Sequence, residues 1–233
     1  IGFALNYSDL LMVNDQYQIR PDRPFIPGQE VVGVVEEVNS SSTFEIGELI
    51  TSKVIWGGFA EFVLVREDMA IKVPENYSTI QAAALPVSYT TALISLNYCS
   101  ILEYSDTILI HAAAGGVGLA SVEVAATKCA NIIATASSPE RLKIAKDYGA
   151  NHVVNYNNER WFDEVNEITD GKGANIIVDP VGGDIGENSL RCIARDGKLL
   201  IVGFASGKMP KLAPNRLLLK RASAIGVYWN HDH

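Results

Sequence analysis

From Thr107 to Gly118 the chain reads TILIHAAAGGVG. Thr107 to Ala112 is short, mostly apolar and rich in isoleucine, as a buried strand is. It runs straight into Ala113-Ala114-Gly115-Gly116-Val117-Gly118, and Val117, Ala120 and Val124 then recur at helical spacing. Strand, tight glycine turn and helix fit the dinucleotide fingerprint G-x-G-x-x-G, with Ala113 standing for the first glycine. The physics asks for small residues here. Gly115 lets the backbone approach a pyrophosphate, and Gly118 lets helix and strand pack closely. The helix start at Gly116 and Val117 offers free N–H groups and the positive end of a dipole. On the pattern alone, a cofactor seat and an ordinary tight βα turn both stay open.

Past this turn, strand-like and helix-like stretches alternate. Strands are expected at Asn131–Ala136, His152–Asn155, Asn175–Asp179, Lys198–Val202 and Ala222–Tyr228. Helices are expected at Pro139–Tyr148, Arg160–Ile168 and Ile185–Ala194. Such alternation signals a doubly wound parallel sheet, and six strands with the glycine turn after the first match the order 3-2-1-4-5-6. Upstream the texture differs. Residues 1–80 are β-rich, with short runs at Glu30–Val38, Glu48–Val54, Phe59–Val65 and Ala70–Val73 punctuated by glycine and proline, like a small irregular barrel. Pro74–Ile80 reads as a connector. Gln81–Leu102 is helical in composition apart from Pro86 and the pair Thr90-Thr91.

Bulk properties narrow the function. The 233 residues allow one large or two modest domains, and the formal net charge of −8 argues against nucleic acid as the main partner. No apolar run is long enough to span a membrane. Cys99, Cys129 and Cys192 lie at no metal-ligand spacing, and their odd number argues against a disulfide framework. The chain does not begin with Met, opens mid-pattern and stops just after an apolar run, so a fragment missing both ends is expected.

The end of the second parallel strand bears on cofactor choice. An acid there bonds the ribose 2′-hydroxyl of NAD. Here the strand ends Ala134-Thr135-Ala136-Ser137-Ser138, with Arg141 close behind and no acid. Small residues leave room for a 2′-phosphate, Ser137 and Ser138 can donate to it, and Arg141 can pair with its charge. NADP(H) is therefore favoured over NAD. Tyr156, just past the third strand, either completes that pocket or is a half-buried strand-end tyrosine. Arg141 has a plainer alternative too, as decoration of a solvated helix start.

Taken together, LNYSDLL, PFIPGQEVVGVVEEV, GGFAEFV, AAALPVSYTTAL, HAAAGGVGLA, ATASSPERL, GANHVVNY, VDPVGGD, VGFASG and NRLLLK resemble the medium-chain dehydrogenase/reductase superfamily, and within it the zinc-free quinone oxidoreductase group. The resemblance implies an α/β fold: a Rossmann NADP(H)-binding domain over 81–233 and a partial GroES-like β-barrel catalytic domain over 1–80. Zinc-dependent relatives carry a Cys where this chain has Asn6 and a His where it has Gln29. They also have a cysteine-rich lobe that is missing here. Amides are poor zinc ligands, so neither a catalytic nor a structural zinc is expected. Without that Lewis acid, the chemistry shifts from alcohol oxidation toward reduction of an electrophilic acceptor.

The same resemblance implies hydride transfer from NADPH to a quinone. The nicotinamide would lie in a cleft between the domains, with Gly203, Phe204 and Ala205 along one side and Asn6 and Thr91 on the other. Asn6 would hydrogen-bond a substrate carbonyl or the cofactor, or else stabilise its turn. Thr91, beside a helix start, would hold the carboxamide or pyrophosphate, or else cap the helix. Tyr17 corresponds to a tyrosine lining the acceptor pocket, with a loop aromatic as the alternative. Tyr7 reads as packing, Asp9 and Glu30 as structural acids, and His111 as a packed histidine. Two other functions stay open: reduction of an enone, alkenal or enoyl thioester, and a non-enzymatic NADPH-binding scaffold. The last strand should be a sheet edge, which relatives pair with its copy in a homodimer.

Overall fold

The computed structural model describes residues 2–128 and 131–229, so Cys129 lies outside the described residues. The chain divides into two compact units, Ile1–Thr90 and Thr91–His233.

The first unit carries β1 (Gly2–Phe3), α1 (Tyr7–Val13), β2 (Glu30–Val34), β3 (Leu49–Lys53), β4 (Ala70–Lys72), α2 (Thr79–Ala83) and most of α3 (Pro86–Leu93). Its four strands form one antiparallel sheet in chain order, with Val31 opposite Ser52 and Thr51 opposite Ile71. Helix α2 packs on this sheet through Ala82 and Ala83 against Val32 and Val73. It therefore goes with the first unit, although the composition changes at residue 80. Three expectations need correction here. Phe59–Val65 is not a strand: Gly57, Gly58 and Phe59 donate their N–H groups to the carbonyls of Ile26, Gly28 and Pro27 rather than to a ladder. Phe62 and Leu64 are left exposed. The supposed connector ends early, because Ser78 and Gln81 form a capping box that opens α2. The stretch after it is not one helix. Pro86 cannot continue α2 and instead opens α3, and a π-helical turn follows at Ile94–Cys99.

The second unit carries β5 (Thr107–Ile110), α4 (Gly116–Ala126), β6 (Asn131–Ala136), α5 (Pro139–Asp147), β7 (His152–Asn155), α6 (Trp161–Ile168), β8 (Ala174–Asp179), α7 (Gly183–Ser189), β9 (Ile193–Ile201), α8 (Pro214–Lys220) and β10 (Ser223–Gly226). All pairings are parallel, in the order β10-β9-β8-β5-β6-β7. That is the expected 3-2-1-4-5-6 order read from the other edge. β5 is central and apolar on both sides, as parallel strands covered by helices are. Ile108 and Ile110 face Val122, Ala125 and Ala145. Leu109 faces the other way, toward Trp161, Phe162, Val165 and Leu190. Each such side chain, fully buried, contributes about 1.5–3 kcal/mol, so the strand is anchored from both layers. The expected helix Ile185–Ala194 is too long. Arg191 and Cys192 turn the chain back onto Asn188 and Ser189, and buried Ile193 already pairs with Ala174 in β9. Helix α8 has no counterpart among the expected elements, because its Leu218 and Leu219 are exposed and give no core-facing rhythm. Among the described residues no helix is long and apolar enough to cross a membrane.

Candidate functional site

The turn after β5 is built for close approach. A Cβ on Gly118 would lie 2.3 Å from the Ala112 carbonyl oxygen and 2.7 Å from Ala113 Cα, both main-chain atoms that cannot swing aside. Only glycine lets α4 start this near the strand. A Cβ on Gly115 would meet Ala112 O at 3.3 Å, which is tight but not forbidden. Ala112 itself has φ 47°, a left-handed value costly for a residue with a Cβ. Ala113, in the first-glycine position, is fully buried, and its N–H donates to the Thr135 carbonyl at 2.9 Å. Its methyl thus fills core. Gly115 is the N-cap of α4 and no side chain caps it. The N–H groups of Gly116, Val117 and Gly118 have no intrahelical acceptor, and they emerge at the positive end of the helix.

His111 braces this turn from beneath. Its Nδ1 and Nε2 each lie 2.8 Å from a hydroxyl, those of Thr135 and Ser189. The Ser189 hydroxyl donates to the Ile185 carbonyl, so it must accept from Nε2–H. Nδ1 is then the acceptor of the Thr135 proton. The ring also packs at nearly a right angle to Trp161, with ring centroids 5.1 Å apart. Complete burial pushes its pKa down to about 3, which makes it a neutral strut rather than a proton donor. Cys192, likewise buried, is pushed up to about 12 and is inert.

At the end of β6 the structure brings Ser137, Ser138 and Arg141 together. Arg141 donates through a guanidinium nitrogen to Ser137 Oγ at 3.1 Å. Ser138 caps α5, accepting from the Arg141 main-chain N–H at 3.4 Å. Ser138 also hydrogen-bonds the carboxylate of Glu140, which holds that acid below the usual carboxylate range. Both sides of the Ser138 hydroxyl are thus occupied. Tyr156 follows β7, its N–H on the Ala136 carbonyl at 3.2 Å. It lines a cavity of about 440 Å³ with Asn157, Trp161, Gly182, Gly183 and Lys208, whereas the two serines and Arg141 do not. Sequence reasoning missed Asn157, whose Nδ2 donates to the Ser137 carbonyl at 2.9 Å and ties the two strand ends together.

Gly203 and Phe204 lie where β9 ends. The Gly203 N–H reaches the Asp179 carbonyl at 3.3 Å, and Phe204 packs so near Gly182 that a Cβ there would sit 2.9 Å from its ring. Buried Asp179, also missed, organises this loop by accepting the N–H groups of Val181 and Gly182 at 2.8 and 2.9 Å. Burial raises its pKa. The glycine pair in VDPVGGD was its signal, since Gly182 and Gly183 both have positive φ, at 67° and 52°. Thr91 is not beside a helix start. It lies well inside α3, buried, and its hydroxyl accepts from the Trp229 indole at 3.0 Å.

In the first unit, Asn6 precedes α1, and its Nδ2 donates to Glu30 Oε1 at 2.8 Å. Asp9 accepts the Asn6 main-chain N–H at 2.9 Å. Ser8 pairs with the Gln29 side chain. Asp9, Gln29 and Glu30 are all buried, and desolvation raises the pKa of both acids. Tyr17 is half-buried in the bend beyond α1, and Tyr7 is exposed. These residues do not fit a zinc ion. The donor set at the expected positions is two amides, each already hydrogen-bonded, with no thiolate or imidazole. Among the described residues, no three His, Cys, Asp or Glu side chains gather as a metal site requires.

A parallel doubly wound sheet with an uncapped glycine turn after its first strand, joined in one chain to an antiparallel sheet unit, defines a two-domain dinucleotide-binding oxidoreductase fold. Comparison with known proteins agrees. Residues 2–75 match the alcohol dehydrogenase GroES-like domain and residues 116–233 the zinc-binding dehydrogenase domain. The chain is 41% identical over 228 residues to a quinone oxidoreductase-like protein 2 homolog of Nematostella vectensis, covering 97% of this chain and 62% of that protein. Its structure is similar to the quinone oxidoreductase of Thermus thermophilus, solved also as a complex with NADPH (TM-score 0.81, 34% identity, 97% and 69% of the two chains). It is similar as well to the Escherichia coli quinone oxidoreductase complexed with NADPH (TM-score 0.88, 28% identity, 96% and 69%). This chain belongs to the medium-chain dehydrogenase/reductase family, on its quinone oxidoreductase branch. It spans less than two thirds of the length of the curated relatives it matches.

Proposed function

We propose that the protein is an NADPH-dependent, metal-independent reductase of quinones. The observation that carries the reading is the Arg141–Ser137 pair just past β6, a strand whose own residues include no acid, together with the uncapped N-terminus of α4. Gly116, Val117 and Gly118 would receive the pyrophosphate on their N–H groups. Arg141 and Ser137 would take the 2′-phosphate, with Tyr156 at its border. Because Ser138 is held by α5 and Glu140, it contributes less than Arg141. Bound there, NADPH supplies a hydride. The loop at Gly203 and Phe204, pinned to the β8 turn, is the proposed support for the nicotinamide end. Thr91 is the further proposed contact at that end. Asn6 and Tyr17 are the proposed contacts to the acceptor, each offering an N–H or O–H to the oxygen that becomes anionic.

The test is steady-state NADPH oxidation with 1,2-naphthoquinone, run beside an alkenal, an enoyl-CoA and an NADH control. Turnover with the quinone supports the reading. Turnover with only the alkenal or enoyl-CoA moves the acceptor class. Tight NADPH binding with no turnover makes the protein a cofactor-binding scaffold. We also propose a homodimer through β10, which among the described residues pairs with β9 along one side only. Light scattering that returns a monomer mass would refute it.

A further inference from the structure

An asparagine at a helix N-cap usually turns its side chain back onto its own helix. Asn6 and Asp9 form a capping box, in which Asp9 accepts the Asn6 main-chain N–H at 2.9 Å. The Asn6 side-chain nitrogen reaches beyond this helix to Glu30, 24 residues on, at 2.8 Å. The other Glu30 oxygen accepts the N–H of Val87, in the first turn of α3, also at 2.8 Å. Glu30 is 1% exposed. One buried carboxylate therefore has one oxygen fixed by a helix end and the other fixed on Asn6. A carboxylate only accepts, so the nitrogen of the Asn6 amide must face it, and the oxygen cannot. A primary amide has two N–H groups, and this arrangement uses one of them.

We infer that Glu30 is a positioning residue: held by the α3 N-terminus, it locks the Asn6 amide so that its second N–H is presented as a donor to the acceptor's oxygen. This rests on the reductase reading above. In that reaction a hydrogen nucleus and two electrons pass together as hydride from NADPH to the acceptor, the cofactor leaves as NADP⁺, and the acceptor's oxygen gains negative charge before water protonates it. A donor aimed at that oxygen is stronger in the transition state than in the ground state, so it acts on kcat. Glu30→Gln removes the lock. If the new amide used its oxygen for Val87, its NH₂ would face the Asn6 NH₂. Asn6 would then turn over and aim its carbonyl oxygen at the developing anion.

The experiment compares wild type, Glu30→Gln, Asn6→Ala and the double variant in NADPH oxidation with 1,2-naphthoquinone. NADPH dissociation constants, melting temperatures and the Asn6 side-chain amide resonances are followed in parallel. The expected result is that Glu30→Gln lowers kcat roughly twentyfold or more, with NADPH affinity changed less than about twofold, as loss of a transition-state donor requires. The double variant should be no slower than Asn6→Ala, because both changes remove one donor. Unchanged kcat in Glu30→Gln, or losses that multiply in the double variant, would overturn the inference and leave the reductase reading standing. Absence of turnover in wild type sinks both. Should Glu30→Gln fail to fold, the wild-type spectrum decides: one slowly exchanging Asn6 amide proton supports the lock, and fast exchange of both protons refutes it.

Discussion

In the second unit the proposed anion seat is made of main chain; in the first, the polar cluster around Asn6 is made of side chains. The turn at Ala112–Gly118 works by omission, since Gly118 lacks a Cβ that would sit 2.3 Å from a carbonyl oxygen and no side chain caps α4. The cluster around Asn6 works by commitment, with Asn6 held to Glu30 and Ser8 to Gln29. A seat of the first kind fails through steric intrusion and should take the fold down with it. A cluster of the second kind fails through reorientation, and should lose rate while keeping stability.

The largest effect is expected at Gly118. Gly118→Ala should destabilise the protein by about 3 kcal/mol, the upper part of the overpacking range, in urea unfolding, and abolish measurable NADPH binding by fluorescence titration. Gly115→Ala, with its 3.3 Å approach, should lose less than about 1 kcal/mol. Equal losses at the two positions would mean that steric approach is not what the turn is built for.

Next in size is a pH effect at the strut beneath the turn. Unfolded, His111 titrates near 6.5, and folded near 3. Between those values the unfolded chain holds a proton that the folded chain refuses, so this contribution to stability is present above 6.5 and lost as pH falls toward 3. At about pH 4.5 the loss relative to about pH 7.5 should be about 2–3 kcal/mol greater in wild type than in His111→Gln. Parallel unfolding free energies at the two pH values would show that His111 is charged or exposed.

On the proposed reading, the end of β6 is the place in the second unit where side chains would do the selecting. Arg141→Ala should weaken NADPH binding roughly tenfold or more while leaving NADH nearly unchanged, as expected for loss of a charge-assisted hydrogen bond of about 1.5–3 kcal/mol. A like change for both cofactors removes Arg141 from the phosphate site. The smallest effect should come from Glu140→Gln: removing an anion beside that site should tighten NADPH severalfold at low salt, with the gain fading as salt rises. No gain at low salt would place Glu140 outside the field of the phosphate.

The same contrast explains what the sequence discloses. Main-chain devices leave a mark in composition, because few residues tolerate them. AAAGGVG, Pro86 and the glycine pair of VDPVGGD could each be read, and so could the strands whose two-sided burial demands unbroken apolar runs. Side-chain partnerships leave no such mark. Nothing in the spacing of Asn6 and Glu30, or of His111, Thr135 and Ser189, says that they meet, since only the packing of helices and strands brings them together. Asn157 went unseen for that reason. Phe59–Val65 misled in the opposite sense. Its alternation is strand-like, yet its first N–H, on Phe59, goes with those of Gly57 and Gly58 to residues 26–28, a choice made by the fold of the loop and not by the segment.

The contact at Gly118 has a last consequence for how such a protein can change over generations. Main-chain atoms set the spacing of strand and helix there, so the seat has no adjustable part and little variation in it would survive. On the proposed reading, preference between cofactors would be edited elsewhere. Ser137, Arg141 and Asn157 stand beyond the strand ends and belong to no core cluster, whereas Tyr156 packs against one. A fixed socket beside a replaceable collar lets one scaffold be retuned in a few steps without being rebuilt.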